Sequence, residues 1–290
     1  MGPGFVALSG AAKQAELLRK DGNHYFQKGR IGAAIEAYTE AITLCPNVAV
    51  YLTNRALCHR KRKYFFLMVY SDWKKVEEDC RRAIQIDSNS VKGHYMLGLA
   101  LIQNNVYPEG IKHLEKALDL GRGANPKSYM VEEIWQELAK AKYREWEKAS
   151  TKRSWELQTL KEACEAALEQ KYFLDHSELE GFVDEAEIAH RKQLKSLRSV
   201  FKKVGEADAP SEVPDYLCCK ITLDILRDPV ITPSGVTYER AVILDHFRKV
   251  GNFDPLTREL LDESQLVPNL AIKEAVEAFL DKHGWAYNTD

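Results

Sequence analysis

Asp21-Gly-Asn-His-Tyr-Phe-Gln-Lys-Gly-Arg-Ile-Gly-Ala-Ala-Ile-Glu-Ala-Tyr-Thr-Glu-Ala-Ile-Thr-Leu-Cys-Pro46 is the stretch whose reading decides the fold. Within it, Gly22, Ala34, Tyr38, Ala41 and Pro46 set small, small, aromatic, small and helix-ending residues at fixed offsets. That spacing suits a pair of helices whose small residues let the backbones approach, while larger side chains fill the gap to the next pair. The pattern returns. Leu97, Gly98, Leu114 and Ala117 repeat it, and the step from Ala83 to Ala117 is 34 residues. The step from Ala41 to Ala83 is 42, so eight residues have been added inside the second copy, most simply at about 64–71.

A 34-residue period with these small and aromatic positions resembles the tetratricopeptide repeat, and three copies imply an α-solenoid. The added segment, Tyr64-Phe-Phe-Leu-Met-Val-Tyr-Ser71, falls at the turn between two helices, where extra chain disturbs stacking least. Its apolar composition is unusual for a loop. It reads as a packed extra turn, or as the product of an unusual splice or gene-model boundary. The alternative is a hydrophobic partner-binding loop.

Composition narrows the class. The chain has 290 residues, which suggests about two domains with ample apolar surface for a core. Its 41 Lys and Arg balance 43 Asp and Glu, a formal charge of -2 that fits a soluble intracellular protein. It makes no electrostatic case for nucleic acid. The longest apolar run, Tyr64 to Tyr70, is too short for a membrane span. The first residues show no basic segment followed by an apolar core, so no secretory signal is expected. Pro3 and Val6 break the myristoylation pattern. Six cysteines without a Cys-x-x-Cys pair give neither a disulfide scaffold nor a cysteine-rich zinc module.

Proline divides the chain. Four prolines lie up to Pro126, none lies in 127–209, and six lie between Pro210 and Pro268. The expected organisation is an N-terminal tail (1–14), three repeats (15–126), a capping helix with a helical hairpin (127–209), and a compact tail (210–290). A stretch without proline permits long helices. Leu157, Leu160, Cys164, Ala167 and Leu174 fall on an a/d register, as do Leu194, Leu197, Phe201 and Val204. The polar residues 175–187 between the two registers suggest an antiparallel hairpin, which could close on itself or self-associate. Trp135, Leu138, Ala139, Tyr143 and Trp146 form an earlier stripe suited to capping the last repeat. In the tail, Asp228-Pro-Val-Ile-Thr, Pro-Ser-Gly and Val236-Thr-Tyr read as a hairpin. A helix stopped by Gly251 and a last helix capped by Asn269 follow. The fold class is therefore mainly α and multidomain: solenoid, hairpin and a small α+β module.

Two constellations carry chemistry. Arg19 and Asn23 lie one turn apart in the first repeat, Asn54 lies in the second, and Lys92 opens the third. These positions resemble the clamp of tetratricopeptide co-chaperones, which bind the acidic C-terminus of heat-shock chaperones. Cations and amides suit a terminal carboxylate, because such charge-assisted hydrogen bonds are worth about 1.5–3 kcal/mol each. Arg19 stands where the family usually has Lys, which changes donor geometry. Met96 stands where several clamp domains carry Arg. It is expected to put an apolar surface beside the carboxylate site and to favour an apolar residue upstream in the peptide.

In the tail, Val213-Pro-Asp-Tyr-Leu-Cys-Cys-Lys-Ile-Thr-Leu, Arg227-Asp-Pro-Val, Pro233-Ser-Gly-Val-Thr-Tyr-Glu-Arg and Val267-Pro-Asn-Leu-Ala-Ile-Lys occur in order. This resembles a U-box, the zinc-free relative of the RING. Adjacent Cys218 and Cys219, with no later cysteine, exclude a two-site zinc module. Side-chain hydrogen bonds must brace the loops instead, with Ser234, Tyr238, Glu239 and Asn269 as candidates. The resemblance implies that Ile221, Leu223 and Pro255 dock a ubiquitin-conjugating enzyme, and that Arg258 bridges enzyme and ubiquitin. No basic neighbour marks Cys218 or Cys219 as a nucleophile, and His246 reads as a packing residue rather than a general base.

Together the segments resemble one family over nearly the whole chain, the CHIP family of chaperone-associated ubiquitin ligases. Val131-Glu-Glu-Ile-Trp135 and the paired cysteines look most like its plant members. The resemblance implies a dimeric cytoplasmic co-chaperone that needs no metal or cofactor. Its partners would be chaperones of the seventy- and ninety-kilodalton classes, a conjugating enzyme, ubiquitin and misfolded clients. The alternatives are a non-enzymatic chaperone adaptor, or a ligase whose repeats recruit substrates directly.

Overall fold

The structure is a computed structural model that describes residues 10–61, 72–124, 129–176, 183–206 and 209–288. It forms two compact units, Met1–Lys142 and Tyr143–Asp290. The first stacks helices in antiparallel pairs: α1 (Gly10–Gln27) with α2 (Ile31–Leu44), α3 (Ala49–Lys61) with α4 (Trp73–Ile86), and α5 (Val91–Gln103) with α6 (Tyr107–Ala124). The Asp72 carboxylate accepts from Lys75 N at 3.4 Å and the Ser90 hydroxyl from Gly93 N at 3.2 Å, so α4 and α5 begin with side-chain caps. Segment 64–71, the expected insertion, lies outside the described residues. On either side of it α3 ends at Lys61 and α4 starts at Trp73.

The small residues act as the repeat pattern requires. A Cβ on Gly22 would stand 2.7 Å from the Tyr38 ring, so α1 and α2 meet there without a side chain between them. A Cβ on Gly98 would stand 2.7 Å from Leu114 Cγ and 3.0 Å from the Gly110 carbonyl oxygen. Ala34, Ala41, Ala83 and Ala117 are buried at the matching positions. Successive pairs are tied by Arg55, whose guanidinium meets Asp79 at 2.6 and 2.9 Å and Thr39 Oγ1 at 3.0 Å, joining α2, α3 and α4. Helix α5 departs from an amphipathic pattern: every residue from Gly93 to Ile102 is buried. It packs against α3, α4 and α6, and its Tyr95 hydroxyl donates to Glu133 of α7 (Tyr129–His176) at 2.8 Å.

The stripe expected to cap the repeats divides. Trp135, Leu138 and Ala139 are buried in the first unit, whereas Trp146 packs against Gly284 within the second. Also in the second unit, α7 pairs with α8 (Val183–Glu206). Tyr172 stacks on His190 with ring centroids 4.5 Å apart, Glu165 meets Arg198 at 2.8 Å, and Leu157 approaches Gly205. Ascending positions on one helix meet descending positions on the other, so the hairpin is antiparallel. Its register differs from the heptad reading. The partly covered stripe of α7 runs through Leu157, Lys161, Cys164, Leu168 and Tyr172, while Leu160, Ala167 and Leu174 are exposed; on α8 the expected Leu194, Leu197 and Phe201 are half-buried and Val204 is exposed. Steps of mostly four residues follow the 3.6-residue turn of a straight helix, from which a heptad drifts by about 20° per repeat.

The tail builds a three-stranded antiparallel sheet of order β2-β1-β3, from β1 (Pro229–Ile231), β2 (Thr237–Glu239) and β3 (Val267–Pro268). Val230 pairs with Tyr238 on one side and with Pro268 on the other. Helices α9 (Arg240–Lys249) and α10 (Leu270–Lys282) accompany it, over a core that includes Leu217, Leu226, Val230, Tyr238, Ile243 and Leu280. The Asn269 side chain caps α10 by accepting from Ile272 N at 3.2 Å.

Gly98→Ala weighs two effects against each other. Alanine gains about 1 kcal/mol of helix propensity, but overpacking costs about 1–3 kcal/mol, and the Gly110 carbonyl cannot rotate away. Thermal unfolding followed by circular dichroism is expected to show a midpoint a few degrees lower. A raised midpoint would contradict this close approach of α5 and α6.

Candidate functional site

Three of the four groove residues share one hydrogen-bonded row. Lys92 Nζ on α5 donates to Asn54 Oδ1 on α3 at 2.8 Å. Asn54 Nδ2 donates to Asn23 Oδ1 on α1 at 3.3 Å, and the Tyr38 hydroxyl donates to the same oxygen at 2.6 Å. The first helix of each pair thus contributes one member. Burial lowers the Lys92 pKa, with the Cys58 and Cys80 thiols opposing. Among the described residues its hydrogen-bond partner is an amide, and no carboxylate pairs with it. A partly buried cation without a counter-charge is a favourable place for an anion to arrive.

Arg19 stands apart from the row. Its Nε meets Glu16 Oε2 at 2.9 Å, one turn earlier on α1, and this bond holds the Glu16 carboxyl below its usual range. Any ligand carboxylate at Arg19 must therefore compete with Glu16. Met96 does not present the apolar surface expected of it. It is 1% exposed, because α5 is covered on every side, and Arg60 Nη1 lies 3.9 Å from its sulfur. Tyr38 and Glu16 were absent from the sequence-based site. Their signals were the repeat's aromatic position and an acid three residues before Arg19.

In the tail, two closed loops carry the other candidates. In the first, Leu226 N donates to Leu217 O and Cys219 N to Asp224 O, both at 2.8 Å. Leu223 closes the tip with its N–H on Cys219 O at 2.9 Å and a φ of +64°. Ile221 is 40% exposed and Leu223 75%, so both large apolar side chains face solvent. In the second loop, Asp254 N donates to Glu259 O at 2.8 Å and Arg258 N to Asp254 O at 2.9 Å. Pro255 is half-buried beside exposed Leu256. Arg258 is exposed, has a φ of +65°, and holds its guanidinium carbon 5.4 Å from the centre of the Phe253 ring. Left-handed leucine and arginine each cost about 1–3 kcal/mol, a strain that clusters where a side chain must be aimed.

All four expected braces make bonds, and both loops converge on adjacent residues of β2. Tyr238 donates its hydroxyl to Asp254 Oδ1 of the second loop at 2.7 Å. Glu239 Oε2 accepts from Arg227 N at 2.7 Å and Asp228 N at 3.0 Å, and Glu239 N donates to Cys219 Sγ of the first loop at 3.4 Å. Ser234 Oγ reaches Asp254 Oδ2 at 2.8 Å, and Asn269 Nδ2 reaches Thr237 Oγ1 at 3.0 Å. The hub is Asp254, which sequence reasoning missed. It is 2% exposed and also accepts from Leu256 N at 2.8 Å and Thr257 N at 3.1 Å. Burial alone would raise its carboxyl, but these donors outweigh burial and hold it below the usual range. An Asp accepting from N–H groups two and three residues on was the available signal, in Asp254-Pro-Leu-Thr257.

Burial, helped by the Asp215 carboxylate, pushes the Cys218 thiol up, the opposite of what a nucleophilic thiolate needs. His246 Nε2 lies 3.1 Å from the Phe253 carbonyl oxygen and ties α9 to the second loop. Among the described residues no three His, Cys, Asp or Glu side chains could hold a metal ion together. Nor is any helix there long and apolar enough to cross a membrane.

The U-box domain family matches residues 213–285, and the tetratricopeptide repeat family matches 22–48. The E3 ubiquitin-protein ligase CHIP of Arabidopsis thaliana is 64% identical over 277 residues, 96% of this chain and 97% of that protein. U-box domain-containing protein 37 of the same plant is 34% identical over 27% of this chain and 20% of its own length. Among solved structures, the TPR2B domain of yeast Sti1 in complex with Hsp70 is 29% identical, with a TM-score of 0.39, over 44% of this chain and 96% of that one.

Asp254→Ala removes the acceptor shared by Tyr238, Ser234 and two backbone N–H groups, and strands a buried hydroxyl. The expected cost is about 3–5 kcal/mol, read as loss of the cooperative unfolding transition of the tail. The carboxyl is depressed in the folded state. Its contribution is therefore present above the unfolded pKa of about 3.9 and lost as pH falls through the lower folded value. Acid titration of the wild type is expected to lose tail stability only below about pH 4, and a transition near neutral pH would contradict the hub.

Proposed function

The chain belongs to the family of the E3 ubiquitin-protein ligase CHIP, and from that membership we propose that its groove grips the acidic C-terminal tails of heat-shock chaperones of the seventy- and ninety-kilodalton classes while its U-box passes ubiquitin to their misfolded clients. The chain is a ubiquitin ligase of the U-box type. The observation that carries the groove reading is the partly buried Lys92 cation, bonded to Asn54 and lacking a carboxylate partner among the described residues. Lys92 and Asn54 would hold the terminal carboxylate, Asn23 would extend the row, and Arg19 would contribute once Glu16 yields.

The tail supplies position rather than covalent chemistry. Exposed Ile221 and Leu223, with Pro255 from the second loop, suit a shallow apolar dock for a ubiquitin-conjugating enzyme. A client lysine nitrogen attacks the thioester carbonyl carbon at ubiquitin's C-terminus. An isopeptide bond forms, the bond to the conjugating enzyme's cysteine breaks, and the lysine's proton is lost as the thiolate leaves. Arg258, aimed by its left-handed backbone and stacked on Phe253, would donate hydrogen bonds to both enzyme and ubiquitin and narrow the thioester to reactive poses. Exposed Trp155, Leu160, Phe173, Ile188 and Val200 on α7 and α8 support self-association into a homodimer. Cytoplasmic placement follows from the proposed partners.

Purified ligation, run with a chaperone that keeps or lacks its C-terminal tail, tests this reading. Tail-dependent modification of the bound client is expected; chains formed without tail dependence would favour direct substrate recruitment, and no chains at all would leave an adaptor. Lys92→Ala is expected to weaken tail binding at least about tenfold while self-ubiquitination persists. Pro255→Ala is expected to do the reverse, and wild-type ligation in that variant would remove the dock.

Glu16→Gln frees Arg19. Exposed ion pairs of this kind are worth about 0.2–1 kcal/mol, so fluorescence anisotropy is expected to read tail affinity up by no more than about fivefold. Weaker binding in this variant would remove Arg19 from the clamp.

A further inference from the structure

His94 and His113 are titratable side chains that neither the groove row nor the tail loops use. His94 lies on α5, two residues after Lys92, and is 6% exposed. His113 lies on α6, with its side chain 23% exposed. The two rings stack with centroids 5.2 Å apart, and their Nδ1 atoms stand 2.9 Å from each other. Two nitrogens that close share one hydrogen between them. His94 Nε2 lies 3.1 Å from the Ser88 carbonyl oxygen, which only accepts, so in the neutral ring Nε2 carries the proton and Nδ1 is bare. The shared hydrogen then belongs to His113 Nδ1, which leaves the Nε2 of a neutral His113 bare. A further proton that keeps every bond of the pair can add only there. That site is unfavourable for a charge. His113 Nε2 stands 3.9 Å from Glu109 Oε1, and the same oxygen meets Arg81 Nη2 of α4 at 2.8 Å. Arg81 is held in turn by Glu77, which also accepts from Asn104 Nδ2 at the end of α5. Protonating His113 therefore brings a second cation to a carboxylate that is already paired. Burial first, then the His94 ring and Arg81, lower the His113 pKa, with Glu109 opposing. Of the flanking charges, Glu115 of α6 pairs with Lys142 of α7 at 2.7 Å, and Asp87 in the turn before α5 accepts from Asn89 N at 3.1 Å.

We propose that the His94–His113 pair is a proton-operated latch, which holds α5 against α6 at neutral pH and loosens the third repeat, the one that carries Lys92, in mild acid. The sign follows from the protonation states. The fold disfavours the proton on His113 and the open chain accepts it. The latch is therefore complete above the unfolded imidazole value of about 6.5 and is lost as pH falls toward the lower folded value. Within that window one proton lowers the ratio of closed to open repeat by up to about tenfold per pH unit. The two ends of the network are α4 and the turn before α5, so opening is confined to the packing of α4, α5 and α6. This inference stands whether or not the groove binds a chaperone tail.

The test is amide hydrogen exchange of the full chain at pH 7.5, 6.5 and 5.5, corrected for the intrinsic pH dependence of exchange and read by mass spectrometry on fragments of each helix. In the wild type the open fraction of α5 and α6 is expected to rise about three- to tenfold between pH 7.5 and 5.5, while α1 and α2 stay unchanged. His113→Asn separates the latch from packing in general. The Asn Nδ2 takes the place of His113 Nδ1 and still donates to His94, but it cannot titrate in this range. In that variant the acid-dependent rise in α5 and α6 is expected to disappear. An equal rise in His113→Asn, or none in the wild type, overturns the latch. Should the variant fail to fold, the wild type decides alone through the nuclear magnetic resonance of the His113 ring Cε1–H. Its titration midpoint is expected below about 6.5, and a midpoint at or above that value overturns the proposal.

Discussion

The Asp254 carboxylate is the one charge that the tail module is folded around. A buried carboxylate loses its hydration, and only a full set of donors makes that tolerable. Here the set comes from the Tyr238, Ser234 and Thr232 hydroxyls and from two N–H groups of its own loop. Those donors belong to the β-hairpin and to the second loop, so satisfying the charge fixes one against the other. Tyr238 neighbours Glu239, which holds Arg227 and Asp228 and whose N–H rests on the Cys219 sulfur. Two consecutive residues of one short strand therefore set both loops. The strained backbones of Leu223 and Arg258 are held at the ends of this network.

The groove applies the same physics with the opposite result. Lys92 is also withdrawn from water, and burial lowers its pKa, but its partner is a neutral amide. Asp254 is fully served and its role is structural. Lys92 is under-served, and a ligand anion can supply what the fold withholds. The difference lies in the donor and acceptor inventory around each charge rather than in depth of burial alone. That is why a row of three residues on three helices can be hydrogen-bonded without a ligand and still gain from one.

Legibility in the sequence followed locality. Gly22, Ala34, Tyr38 and Ala41 announced a helix pair because the close approach of α1 and α2 needs small residues at set offsets. The hairpin at 229–239 and the Asn269 cap were readable from turn and cap chemistry. Met96 was misread because a single helix was assumed to keep one wet face, whereas α5 is enclosed by its neighbours and by Glu133 on α7. The α7 register was misread because a heptad was assumed where a straight helix keeps its own period. Strand β3 is only two residues long, below what alternation can reveal. Asp254 hid beside Pro255 as an ordinary turn residue, since its hydroxyl donors come from 16, 20 and 22 residues away.

The cations of the two sites differ in how far they are already committed. Arg19 is held by Glu16 on its own helix. Arg258 lies against the Phe253 ring, which orders the guanidinium without neutralising it. Lys92 has an amide and no carboxylate among the described residues. A carboxylate entering the groove gains most where least must be displaced, which orders Lys92 ahead of Arg19. On that ordering a ligand carboxylate would anchor at Lys92, and Arg19 would join only as Glu16 yields.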